Sequence, residues 1–85
     1  MYEYKAIFVD LFPNGGKVKF SQGFDRLSSV YEYANYCQVF AERYVSPSHL
    51  VVFKVTKEDG EVVSKSGFWK DDYDEIEETD FFIHE

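Results

Sequence analysis

Cysteine is almost absent from this 85-residue chain: Cys37 stands alone. A single thiol cannot close an internal disulfide. Proline occurs twice, at Pro13 and Pro47, and glycine five times, and no repeat or low-complexity linker is visible. Histidine is limited to His49 and His84, and their spacing from Cys37 matches no metal-ligand pattern and no Cys-His pair. No apolar run approaches the length of a membrane span. Met1-Tyr2-Glu3-Tyr4-Lys5 leads straight into a strand-like run with no hydrophobic leader stretch, and neither end carries a lipidation signal. These features lead to the expectation of a cytoplasmic protein in a reducing compartment, with no membrane contact.

The most informative shortage is one of positive charge. Residues 71–85 contain no Lys or Arg but eight acids, Asp71, Asp72, Asp74, Glu75, Glu77, Glu78, Asp80 and Glu85. Residues 1–70 hold all nine Lys and Arg against eight acids. The net charge of −7 therefore belongs to the C-terminal stretch. The expected organisation is one domain over residues 1–70 and an acidic tail over 71–85, since a chain this short has no room for a second core.

Aromatic residues are plentiful: nine Phe, seven Tyr and one Trp. Such a fraction argues for a packed core and against disorder. Residues 2–12 read as a strand. Ala6 to Val9 are apolar at every position, as in a strand covered on both faces or one at an interior position in the sheet. Pro13-Asn14-Gly15-Gly16 is a turn signal. Residues 17–22 alternate, with Val18 and Phe20 on one side and Lys17 and Lys19 on an exposed one.

Residues 26–45 form the one strong helical pattern. Leu27, Val30, Tyr31, Ala34, Cys37 and Ala41 recur at spacings of three and four. Asp25, Ser28 and Ser29 are N-cap candidates, and Ser29 with Glu32 fits a capping box. Residues 50–56 and 61–69 read as a hairpin turning at Lys57-Glu58-Asp59-Gly60, with a bulge expected near Gly67. The sum is an α+β fold, ββαββ, with one helix on a four-stranded, mainly antiparallel sheet. Strand order stays open at this stage.

Among the chemical motifs, Asn14-Gly15-Gly16-Lys17 joins two strands and lacks the spacing of a phosphate loop. Asp72-Tyr73-Asp74-Glu75-Ile76 lacks the central glycine of a calcium loop. Cys37 falls on the inner helix face, where a thiol serves as a small hydrophobe. No catalytic residue, metal or cofactor is expected.

The acidic tail is the candidate binding element. Its carboxylates, interleaved with Tyr73, Ile76, Phe81 and Phe82, would steer basic partners and imitate nucleic-acid charge. Asp71, Asp72, Asp74, Glu75, Glu77, Glu78 and Asp80 are the charge bearers, with Tyr73 and Phe81 as anchors. The plainer alternative is a charge run that keeps the protein soluble. The apolar triplet Phe81-Phe82-Ile83 points to docking on the sheet edge or under the helix. On the helix, Tyr31 and Phe40 are expected in the core, while Tyr33 and Tyr36 are candidate interface residues. Lys17, Lys19, Lys65 and Lys70 form at most a small basic patch, so direct nucleic-acid binding is not expected.

Phe24-Asp25-Arg26-Leu27-Ser28-Ser29-Val30-Tyr31-Glu32-Tyr33-Ala34, between a leading hairpin and a Val-rich one turning at Glu58-Asp59-Gly60, resembles small phage and mobile-element proteins, anti-CRISPR proteins among them. The resemblance spans residues 2–69 as a pattern and carries over no functional residue. It implies a non-enzymatic inhibitor in the cytoplasm of an infected bacterium, blocking a nucleic-acid-processing protein through an acidic surface. Two other readings remain open. One is an assembly module, for instance a homodimer through the helix's tyrosines or a strand edge. The other is a small enzyme around His49 and Cys37.

Overall fold

The computed structural model describes residues 2–78. Strands β1 (Tyr4–Leu11) and β2 (Lys17–Phe24) precede helix α1 (Leu27–Tyr44), and β3 (Leu50–Lys57) and β4 (Val62–Lys65) follow it. A short 3-10 helix, Asp71–Glu75, comes last. The fold is α+β, in the order ββαββ, as the hydrophobic periodicity implies. The sheet order is β2-β1-β3-β4, and every neighbouring pair is antiparallel.

β1 lies in the middle of the sheet, which explains its unbroken apolar run. Ala6, Phe8 and Val9 are fully buried. Its even-numbered residues face α1, and its odd-numbered ones face the other side. The register sets Phe8 opposite both Phe20 and Phe53. These three rings form a row across three strands, with Phe8 stacked on Phe20 at 5.1 Å and tilted against Phe53 at 6.3 Å. Cross-strand aromatic pairs of this kind are a main source of sheet stability. The helix meets the row with small residues, Val30, Cys37 and Ala41, all buried. Bulk on the sheet and small side chains on the helix let the two layers interlock at native density.

Both hairpin turns follow from their glycines. Gly15 and Gly60 take φ of 93° and 92°, the left-handed region that side chains disfavour. Phe12 and Gly16 close the first turn through a backbone hydrogen bond, and Asn14 Oδ1 accepts from the Gly16 N–H at 2.9 Å.

Three local expectations need correction. The helix begins after Arg26, which makes no side-chain cap. Ser29 lies inside the helix, so the Ser29–Glu32 box does not form an N-terminus. β4 ends at Lys65 rather than at Trp69. The irregularity in its pairing falls between Val55 and Thr56, opposite Ser64 and Val62, not at Gly67. Beyond Lys65 the chain leaves the sheet plane: Ser66 Oγ accepts from the Phe68 N–H, and the Ser66 carbonyl accepts from the Trp69 N–H.

That departure creates a second layer. Ile7, Val9, Leu11, Leu50 and Val52 face away from α1, and Trp69, Tyr73 and Ile76 cover them. The sheet is thus buried on both faces, by the helix on one and by residues 66–76 on the other. Lys70 marks a change in composition, and the packing runs straight through it.

Candidate partner-binding surface

The acidic segment is built on the outer layer from the inside. Trp69 and Tyr73 meet edge to face, with centroids 5.4 Å apart at 83°. Tyr73 is 4% exposed. Sequence reasoning assigned Tyr73 to partner binding; burial against Val9, Val52 and Trp69 commits its ring to the core instead.

The sheet supplies the segment's first cations. Lys54 Nζ donates to Asp74 Oδ1 and stands 5.4 Å from the centre of the Trp69 ring. Lys19 Nζ donates to the Asp74 carbonyl at 3.0 Å. Lys17 Nζ lies 5.5 Å from the centre of the Tyr73 ring. Lys19 is 8% exposed, so of the two lysines expected on an open face the segment covers Lys19, while Lys17 stays exposed. Ser21 Oγ donates to Glu78 Oε2 at 3.0 Å, and Glu78 bridges Lys19 in parallel along the free edge of β2.

With Trp69, Tyr73 and Ile76 turned inward, the carboxylates of Asp71, Asp72, Glu75 and Glu77 project outward, and all four residues are exposed. Asp74 and Glu78 are exposed residues too, but both are held by the sheet. Asp80, Phe81, the Phe81–Ile83 triplet and His84 lie outside the described residues.

The helix tyrosines are distributed differently from expectation. Tyr33 packs edge-on against Phe8 at 5.4 Å and tilts against Phe24 at 5.6 Å. Burial pushes its phenol up to about 12. Tyr33, expected at an interface, is thus partly buried and packed against the core. Tyr31, expected inside, is 44% exposed; it leans edge-on over Phe53 and shares a 2.6 Å hydrogen bond with Ser64. Tyr36 is half-buried and begins a ladder through Phe40 to Tyr44, with centroid spacings of 6.3 and 4.9 Å. Tyr44, at the end of the ladder, is 65% exposed.

On the inner face, Asp10 and His49 are buried at 1% and 3% exposure. His49 Nε2 is 4.0 Å from Asp10 Oδ1. Desolvation raises Asp10 to about 6 and lowers His49 below its ordinary value, because burial penalises the charged form of each. The Cys37 thiol is pushed up to about 12, mainly by burial and then by the Asp10 charge. Such a thiol is a poor nucleophile. Among the described residues, no three of His, Cys, Asp and Glu come close enough to share a metal ion, and no helix is long and apolar enough to cross a membrane. At the Tyr4 end of the sheet, an open cleft of about 500 Å³ is lined by Tyr2, Lys5, Ser21, Thr56 and Lys57 among others.

The chain matches no protein-family model, no curated protein and no solved structure.

Sequence reasoning missed Trp69 and Lys54 as the supports of the acidic surface. A signal was present: Trp69, Tyr73 and Ile76 are spaced by four and three, an apolar stripe at helical period inside the acidic run.

Proposed function

We propose that this chain is a non-enzymatic binding protein of the inhibitor type, which occupies a basic, nucleic-acid-binding surface on a protein partner. The observation that carries this reading is the division of residues 69–77. Trp69, Tyr73 and Ile76 pack on the sheet, while Asp71, Asp72, Glu75 and Glu77 face solvent. Carboxylates fixed on a packed scaffold lose less conformational freedom on binding than those of a free tail. They also form a local field that attracts cationic surfaces and competes with phosphate.

The test is capture from nuclease-treated bacterial lysate at low and high salt, using the natural chain and the variant D71N/D72N/E75Q/E77Q. The natural chain captures a nucleic-acid-binding protein at low salt, and duplex DNA elutes it. Capture of the same protein by the variant, or undiminished capture at high salt, would overturn the reading.

One observation favours a second reading, an assembly module. The ladder Tyr36–Phe40–Tyr44, flanked by the exposed Val39 and Val45, places rings at the surface as association interfaces do. Sedimentation at both salt concentrations separates the two: a salt-tolerant dimer supports assembly, and a monomer at all concentrations removes it.

A further inference from the structure

Asp10 and His49 carry three buried polar atoms without a hydrogen-bond partner: Asp10 Oδ1, His49 Nδ1 and His49 Nε2. Buried polar atoms are nearly always paired, so three orphans around one contact call for a reason. Among the described residues, the surroundings give these three atoms no other partner. Asp10 is flanked across the sheet by Val18 on β2 and Val51 on β3. Phe12 meets the imidazole in a T-shaped contact at 74°, with centroids 4.7 Å apart. From α1, the titratable groups that feel the Asp10 charge are Tyr33 and Cys37, both with protons held well above neutral pH. Among the described residues, no Lys or Arg pairs with Asp10.

The location gives the pair mechanical consequence. Asp10 is on the central strand, and His49 ends the α1–β3 connection. That connection is otherwise held by backbone hydrogen bonds from Ser46 to Ala41 and from His49 to Ser46. Gln38 completes the seam: its Nε2 donates to the His49 carbonyl, and its Oε1 accepts from the Val51 N–H, both at 2.8 Å.

We propose that Asp10 and His49 form a buried one-proton site that fastens the α1–β3 connection to the central strand, and that losing the shared proton to solvent loosens it. With one proton between them the pair is neutral, and a small closure of the 4.0 Å gap makes an N–H···O or O–H···N hydrogen bond. With no proton, a carboxylate is buried with no cation. With two, an imidazolium is buried with no anion. Either charged state carries the cost of an unpaired buried ion.

In the folded chain the neutral pair is bounded on both sides, while its two members contribute to stability with opposite pH dependence. Asp10 is raised from 3.8 to about 6, so the folded chain keeps a proton that the unfolded chain has released. Stability from this group is lost as pH rises through about 6. His49 is lowered from 6.5, so its contribution is present above 6.5 and lost as pH falls through its folded value. This site is independent of the acidic surface, and its failure would leave the proposed function standing.

The test uses the full chain. The Asp10 carboxyl carbon and the His49 ring nitrogens are followed by NMR from pH 4.5 to 8. Amide exchange of His49 and Val51 is compared at pH 5.5 and 8 after correction for intrinsic rates. The two side chains should report the same macroscopic midpoints, as coupled sites do. The ratio of corrected exchange at pH 8 to that at pH 5.5 should be about fourfold larger in the natural chain than in Asp10→Asn, in which only the opposing His49 titration remains. An Asp10 carbon that titrates alone near 3.8, or an equal pH response in Asp10→Asn, overturns the proposal. If Asp10→Asn does not fold, the side-chain titration of the natural chain decides.

Discussion

Lys54 donates to the carboxylate of Asp74 across the outer face of the sheet, with its ammonium also over the Trp69 ring. The acidic segment thus finds its first basic partner within its own chain. Lys54 is only partly exposed, so the pair is screened less than a surface ion pair. Replacing Lys54 with Met should cost about 1 kcal/mol by urea titration, and the difference should shrink in high salt.

The ring of Tyr73 should matter more. Tyr73→Ala opens a gap between Trp69 and the sheet, and large-to-small changes of this kind cost about 3 kcal/mol. Tyr73→Phe keeps the ring and should cost less than about 1 kcal/mol. Truncation after Lys70 should destabilise the fold more than either, because Val9, Leu11 and Val52 lose their cover. Urea titrations of the three variants check the order; a truncated chain as stable as the natural one would break it.

Neutralising the outward acids should leave the fold intact. Asp71, Asp72, Glu75 and Glu77 are exposed, and substitutions at such sites usually change stability by no more than about 0.5 kcal/mol each. Thermal melts of D71N/D72N/E75Q/E77Q should overlay those of the natural chain or lie slightly higher, since like charges are removed. This contrast separates the scaffold role of Tyr73 from the binding role of the acids.

Cys37 should be inert. It is fully buried, and its thiol is held at about 12. Reaction with a water-soluble disulfide reagent at pH 8 should be negligible in the folded protein and fast in denaturant. Fast reaction under native conditions would show that α1 leaves the sheet readily.

Much of the inner layer was legible in the sequence. Val18 and Phe20 alternate because β2 is half-buried, Gly15 and Gly60 mark left-handed turns, and the α1 stripe repeats at helical spacing. The outer layer was harder to read. Ile7, Val9, Leu11, Leu50 and Val52 require a cover on the second face, but strand periodicity does not say what provides it. The cover, Trp69, Tyr73 and Ile76, is interleaved with acids that make the segment look solvated. Asp10 was missed for a different reason. An acid inside an otherwise apolar strand signals burial, yet its partner His49 is far away in sequence and becomes a neighbour only through the β1–β3 register.

The most direct test of this account uses its single tryptophan, because Trp69 is the hinge between the sheet and the acidic surface. Its emission and its quenching by iodide and acrylamide would be measured in the full chain at low and high salt. The account predicts a blue-shifted emission that resists both quenchers at either salt, since apolar packing on Val9 and Val52 holds the ring. A red-shifted, readily quenched emission at either salt would contradict it and return residues 71–78 to the status of a free acidic tail.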